Sequence, residues 1–176
     1  FARLQNAIVF SLSFRVDHVV VSNNTAFQQN IFLTGGNAKS LTAQFNKTIE
    51  DTRFTNFNNS LNDPCDFIVT DNTITDDKTQ AISIGYSRGN GFDISTPNIF
   101  RAERNIININ VSGTNQSPQA LIAPTVNANT PQVQVIIRGN KLKYNGDYSL
   151  YTNPFNAGIR LFQKTWQATV ENNEIT

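Results

Sequence analysis

Apolar and polar side chains alternate along this chain in a pattern that returns six times. The segments are Val19-Val-Val-Ser-Asn-Asn24-Thr-Ala26, Leu41-Thr-Ala-Gln-Phe-Asn46-Lys-Thr48, Phe67-Ile-Val-Thr-Asp-Asn72-Thr-Ile74, Phe100-Arg-Ala-Glu-Arg-Asn105-Ile-Ile107, Val135-Ile-Ile-Arg-Gly-Asn140-Lys-Leu142 and Ala168-Thr-Val-Glu-Asn-Asn173-Glu-Ile175. Counted from the asparagine, positions −5 and −3 are apolar in all six. Position +2 is Ala, Thr, Ile, Ile, Leu and Ile, and position −2 is Ser, Gln, Thr, Glu, Arg and Glu. A period of two with one apolar face is the signature of a strand half buried against a core. Each segment therefore predicts a strand, a turn at the asparagine and a second short strand.

A weaker apolar arm precedes most of these motifs: Ala7-Ile-Val-Phe10, Asn30-Ile-Phe-Leu33, Ala81-Ile-Ser-Ile84, Ala120-Leu-Ile-Ala123 and Ala157-Gly-Ile-Arg-Leu161. The arm of the third motif is not evident. No amphipathic helical stretch lies between strands, which removes βαβ folds. The asparagines are 22, 26, 33, 35 and 33 residues apart. A fixed motif at variable spacing points to equivalent turns of a solenoid with insertions between them, because a sandwich has no reason to repeat one motif at one register. Stacked in this way, Val19, Leu41, Phe67, Phe100, Val135 and Ala168 form an internal column. Asn24, Asn46, Asn72, Asn105, Asn140 and Asn173 form a ladder at one corner, each amide within reach of the next.

The V-x-V-x-x-N-x-I motif preceded by a G-I-x-L arm, as in Gly158-Ile-Arg-Leu161 followed by Ala168-Thr-Val-Glu-Asn-Asn173-Glu-Ile175, resembles the right-handed parallel β-helix superfamily of pectate-lyase-like and phage-tailspike-like proteins. The resemblance covers roughly residues 7–175. It implies an all-β right-handed coil of about six rungs, display outside the cell, and polysaccharide as a common ligand. It says almost nothing about activity, because the motif is made of core and corner residues.

Composition agrees with strands and many tight turns. The chain has 176 residues, among them 25 Asn and 18 Thr, and no Met. Asn favours corners because its amide bonds nearby backbone and tolerates positive φ. A net charge of +1 provides no field for nucleic acid or an anionic membrane, so neither is expected as a partner. One cysteine, Cys65, and one histidine, His18, cannot build a Cys/His metal cage, and no cofactor motif is present. His18 reads as preceding the first strand and Cys65 as a turn thiol. Five Asn-x-Ser/Thr sequons, at Asn23, Asn46, Asn58, Asn110 and Asn115, match what this composition yields by chance, and a glycan on Asn46 would disrupt the ladder.

Two groups of residues carry candidate chemistry. Asp71, Glu103 and Arg104 lie outward near the asparagine corner on adjacent repeats, with Asp76 and Asp77 in the turn after. Glycoside hydrolysis needs two carboxylates flanking the sugar bond, and calcium-assisted lyases need a carboxylate cluster with a basic group. Glu103, Arg138 and Glu171 also occupy one outward position on three successive repeats, so the same charges read as an alternating ion-pair ladder. The insertion Lys143-Tyr-Asn-Gly-Asp-Tyr-Ser-Leu-Tyr-Thr-Asn-Pro-Phe155 carries Tyr144, Asp147, Tyr148, Tyr151 and Asn153, and Trp166 follows. Flat rings beside amide and carboxylate groups suit sugar binding, the ring faces stacking while the polar groups bond hydroxyls. The same rings also suit packing of the loop on the rod or on a neighbouring subunit. The Gly-rich segment 87–95 lacks the strand-to-helix setting of a phosphate loop and reads as a turn.

The chain is thus expected to be a single domain over 1–176. Neither end shows a capping element, so the rod is expected to continue in a longer chain or into a homo-oligomer, a trimer if the tailspike resemblance extends that far. The functional expectation is an extracellular or virion-displayed structural or adhesin module that binds carbohydrate. The alternatives are a polysaccharide lyase or glycoside hydrolase, and a purely architectural oligomer component.

Overall fold

The structure is a computed structural model of the chain and describes residues 6–9, 16–27, 31–35, 38–51, 53–59, 65–76, 82–86, 98–110, 122–126, 133–145, 158–161 and 165–176. These residues form strands, with no helix among them. One sheet holds β1 (Asn6–Val9), β4 (Ile31–Gly35), β7 (Arg53–Asn59), β10 (Ile82–Tyr86) and β13 (Ile122–Val126). A second holds β2 (Val16–Ser22), β5 (Ala38–Gln44), β8 (Asp66–Thr70), β11 (Asn98–Glu103), β14 (Val133–Arg138) and β16 (Thr165–Glu171). The third holds β3 (Thr25–Phe27), β6 (Lys47–Asp51), β9 (Thr73–Asp76), β12 (Ile106–Asn110), β15 (Lys141–Asn145) and β17 (Glu174–Ile175).

The strands pair in parallel, each with the equivalent strand of the next sequence repeat. In the second sheet Val19 faces Leu41, Leu41 faces Phe67, Phe67 faces Phe100, Phe100 faces Val135 and Val135 faces Ala168. The chain visits the three sheets in turn, so the protein is all-β with parallel sheets, as a solenoid requires. The inward positions make the core. Leu41, Ala43, Phe67, Val69, Phe100, Ala102, Val135 and Ile137 are fully buried, and the rings of Phe67 and Phe100 stack at 6.0 Å. A one-residue slip in any strand would turn this apolar set to solvent, which is why the register is kept.

The arm missing from the third motif is β7. Its inward position is Thr55, paired with Leu33 on one side and Ile82 on the other. A threonine where neighbouring repeats carry Leu or Ile broke the apolar pattern that exposes the other arms. Phe54 supplies the burial instead, its ring stacked on Phe32 with centroids 5.1 Å apart.

The corners between the second and third sheets depart from the expected turn chemistry. The left-handed residue is the one before each asparagine: Asn23, Phe45, Asp71, Arg104, Gly139 and Asn172 have φ of 59°, 55°, 57°, 55°, 65° and 55°. An L-residue gives up about 1–2 kcal/mol in that region. At five of these corners the backbone N–H donates to a carbonyl one repeat on, from Asn23 to Gln44 through to Gly139 to Glu171, which holds the bend in place even for Phe45 and Arg104. The asparagine itself is freed to turn inward. Asn24 Nδ2 donates to Asn46 Oδ1 at 3.0 Å, Asn46 to Asn72 at 3.0 Å, Asn72 to Asn105 at 2.9 Å, Asn105 to Asn140 at 3.0 Å and Asn140 to Asn173 at 2.9 Å. The same Oδ1 atoms accept the preceding asparagine's backbone N–H. Asn46, Asn72, Asn105 and Asn140 are buried with these bonds made.

Candidate functional site

Asp71, Glu103 and Arg104 come together, and the corner geometry explains how. The left-handed backbone at Asp71 and Arg104 projects both side chains outward in one file, one strand spacing apart. Arg104 grips Asp71 with two parallel bonds, Nε to Oδ1 at 2.8 Å and Nη2 to Oδ2 at 2.7 Å. Its third nitrogen, Nη1, reaches Glu103 Oε2 at 3.2 Å. Arg138 approaches Glu103 from the next repeat, Nη2 to Oε1 at 3.0 Å, and turns its Nη1 to Glu171 Oε1 at 3.5 Å. Five charges therefore form one continuous network, Asp71–Arg104–Glu103–Arg138–Glu171.

Glu103 is buried, although its position in the repeat is outward, because two guanidinium groups cover it. The Arg104 bond holds the Asp71 carboxyl below the usual carboxylate range, against a smaller opposing effect of burial. Asp71 is thus kept ionised, and Glu103 is occupied by two guanidinium groups. A general acid for glycoside cleavage must instead carry a proton at working pH, which needs a raised pKa. The described carboxyl whose pKa rises is Asp66, pushed up by burial against the pull of Arg101. Nothing in the strand pattern distinguished Asp66, since its position alternates with Ser40 and Ile99 in neighbouring strands.

The aromatic group divides. Tyr144 shares the inward parity of Leu142 in β15, pairs with Ile109 and packs half-buried against the core. Asp147, Tyr148, Tyr151 and Asn153 lie outside the described residues, as do Asp77 and the segment 87–95. Trp166 lies in β16. His18 is not ahead of the first strand of its motif but inside it, exposed on β2 and bonded through Nδ1 to Ser40 Oγ at 2.8 Å. Cys65 is fully buried at the entry to β8, and its backbone N–H donates to Asn98 Oδ1 at 2.9 Å. Among the described residues no three His, Cys, Asp or Glu side chains stand close enough together to hold a metal ion.

Two pairs of outward amides align across strands. Asn145 Nδ2 donates to Asn110 Oδ1 at 3.0 Å on the third sheet, and Gln134 Nε2 reaches Gln167 Oε1 at 3.5 Å on the second. Sequence comparison with family models and with curated proteins, and comparison with solved structures, found no match to the chain.

Proposed function

We propose that the chain is a right-handed parallel β-helix of six rungs, stacked along an asparagine ladder, that acts as a rigid carbohydrate-binding module displayed outside the cell or on a virion. The handedness and the display setting rest on the family resemblance of the repeat. The carbohydrate reading rests on one observation above the others. The outward sheet faces carry amide pairs aligned across strands, Asn110 with Asn145 and Gln134 with Gln167, and the Ser40 hydroxyl beside His18, groups that suit the hydroxyls of an extended polysaccharide. Loop tyrosines Tyr148 and Tyr151 and the indole of Trp166 would supply ring faces for stacking. Binding without cleavage is favoured because Asp71 and Glu103 are each held by arginine.

The test is a glycan array followed by solution binding of the full chain, with an assay for new reducing ends on every glycan retained. Retention without cleavage, lost in Tyr148→Ala and Tyr151→Ala, is the expected result. Those two positions are preferred to Tyr144, whose ring packs on the core. Cleavage that disappears in Asp71→Asn or Glu103→Gln would replace this reading with a hydrolase or lyase. A protein that retains no glycan and elutes as a stable oligomer would be an architectural component.

A further inference from the structure

On the third sheet β12, β15 and β17 lie side by side, and their outward residues enclose a shallow cavity of about 160 Å³. One row of its lining is Ile106, Lys141 and Glu174, in register across the three strands. The next row, two residues along, is Asn108 and Lys143 with Thr176, whose backbone N–H and C=O bond to Leu142 and Tyr144 on either side of Lys143. The two lysines are exposed, and neither ammonium has an ion-pair or hydrogen-bond partner among the described residues. This is unlike the corner network, where Arg104 and Arg138 each hold two carboxylates. Ile106 leaves 43% of its surface open beside Lys141.

We infer that this cavity, formed around Lys141 and Lys143, binds the charged unit of an anionic polysaccharide, a sugar ring bearing one carboxylate or sulfate. The inference rests on the carbohydrate reading above and adds a ligand charge and a second site to it. Among the lining side chains the two cations, Lys141 and Lys143, outnumber the one carboxylate, Glu174, which favours an oxyanion. Two ammonium groups on alternate residues of one strand straddle such a group, and each contributes charge-assisted bonds. Ile106 offers an apolar surface to the C–H face of the ring, while Asn108, Glu174 and Thr176 are partners for hydroxyls. The volume is below the roughly 300–1,000 Å³ of a site that encloses a drug-sized ligand. It suits one sugar unit, with the rest of the polymer lying along the open sheet.

The experiment is calorimetric titration of the full chain with three tetrasaccharides: hyaluronan, which carries carboxylates, chondroitin sulfate, which adds sulfate, and neutral chitotetraose. The variants are Lys141→Gln, Lys143→Gln, the double variant and Lys→Arg at each position, with thermal unfolding to establish that the fold is kept. Expected are binding of one or both acidic sugars, about tenfold weakening for each Gln substitution, retention in the Arg variants, and weakening with added salt. Preference for the sulfated over the carboxylated sugar would assign the oxyanion as sulfate. Acidic-sugar binding unchanged in the double variant would overturn the inference. So would binding of chitotetraose alone, which leaves the carbohydrate reading standing. Failure to bind any sugar would overturn both.

Discussion

Asn105 lies in the middle of the asparagine file and is fully buried, so replacing it by alanine measures what the file contributes to stability. Its Oδ1 accepts from the Asn72 backbone N–H at 3.1 Å and from Asn72 Nδ2 at 2.9 Å. Its Nδ2 donates to Val69 O at 2.9 Å and to Asn140 Oδ1 at 3.0 Å. Removing the amide leaves the Asn72 N–H buried without an acceptor, at about 1–3 kcal/mol. Of the other three bonds, two are to groups that keep further partners: Asn72 Nδ2 still reaches Ala43 O and Thr70 O, and Asn140 Oδ1 still accepts the Asn105 N–H. Their loss adds about 0.5–1 kcal/mol each. Asn105→Ala is therefore expected to cost about 2.5–6 kcal/mol, a large share of the stability of an ordinary domain. Asn24→Ala is the control. That side chain is exposed, and Asn46 Oδ1 keeps the Asn24 N–H after the amide is gone, so its loss is expected to cost at most about 1 kcal/mol. Urea unfolding followed by circular dichroism gives both values from the midpoint shift at constant m. Equal losses at the two positions would refute the argument, because the Asn105 amide is buried, makes four bonds and satisfies a buried N–H, while the Asn24 amide is exposed and makes two.

Three further outcomes follow from single positions. Thr48 places a hydroxyl without a hydrogen-bond partner in the inward column where other repeats carry Ala, Ile or Leu, so Thr48→Val is expected to raise stability by about 1 kcal/mol, read as a higher melting temperature. Gly139 has φ of 65°, and a Cβ there would sit 3.6 Å from Arg104 Cγ, an ordinary contact. The cost of a side chain is then conformational: Gly139→Asn, the residue type used at Asn23 and Asn172, should lose under about 1 kcal/mol and Gly139→Val about 2 kcal/mol, compared by chemical unfolding. Asp66 has its pKa raised by burial, so its ionisation opposes the folded state. The stability linked to its proton is present below the ordinary carboxylate range and is lost as pH rises through the folded value. Asp66→Asn is thus expected to melt higher than the parent at neutral pH, with the gap closing in acid. A gap independent of pH would contradict the assignment.

Much of this architecture is legible in the letters because parallel pairing of equivalent strands writes the third dimension into one repeat. Alternation at −5, −3 and +2 marked the inward columns, and the parallel pairing of Val19 with Leu41 through to Ala168 places those residues together. The alternating charges at Glu103, Arg138 and Glu171 were readable for the same reason, since equal positions in successive repeats become neighbours in a parallel sheet. β7 escaped notice because Thr55 breaks the apolar periodicity locally, and burial of Phe54 against Phe32 makes up for it only in three dimensions. The left-handed corners leave no local signal for a related reason. Phe45 and Arg104 have no local preference for positive φ, and hydrogen bonds to carbonyls of the next repeat hold them there.

Periodicity along the chain determined which faces turn inward, because side-chain direction in a strand alternates with sequence whatever the strand pairs with. The repeat also places Arg138 between two glutamates, but tertiary structure alone decided which cations remain available. The Arg104 and Arg138 guanidinium groups are consumed by carboxylates one repeat away, while the Lys141 and Lys143 ammonium groups stand beside Ile106 and Asn108 and meet none among the described residues. That difference depends on distances of a few ångströms between repeats some 33–35 residues apart, which insertions of variable length conceal in the sequence.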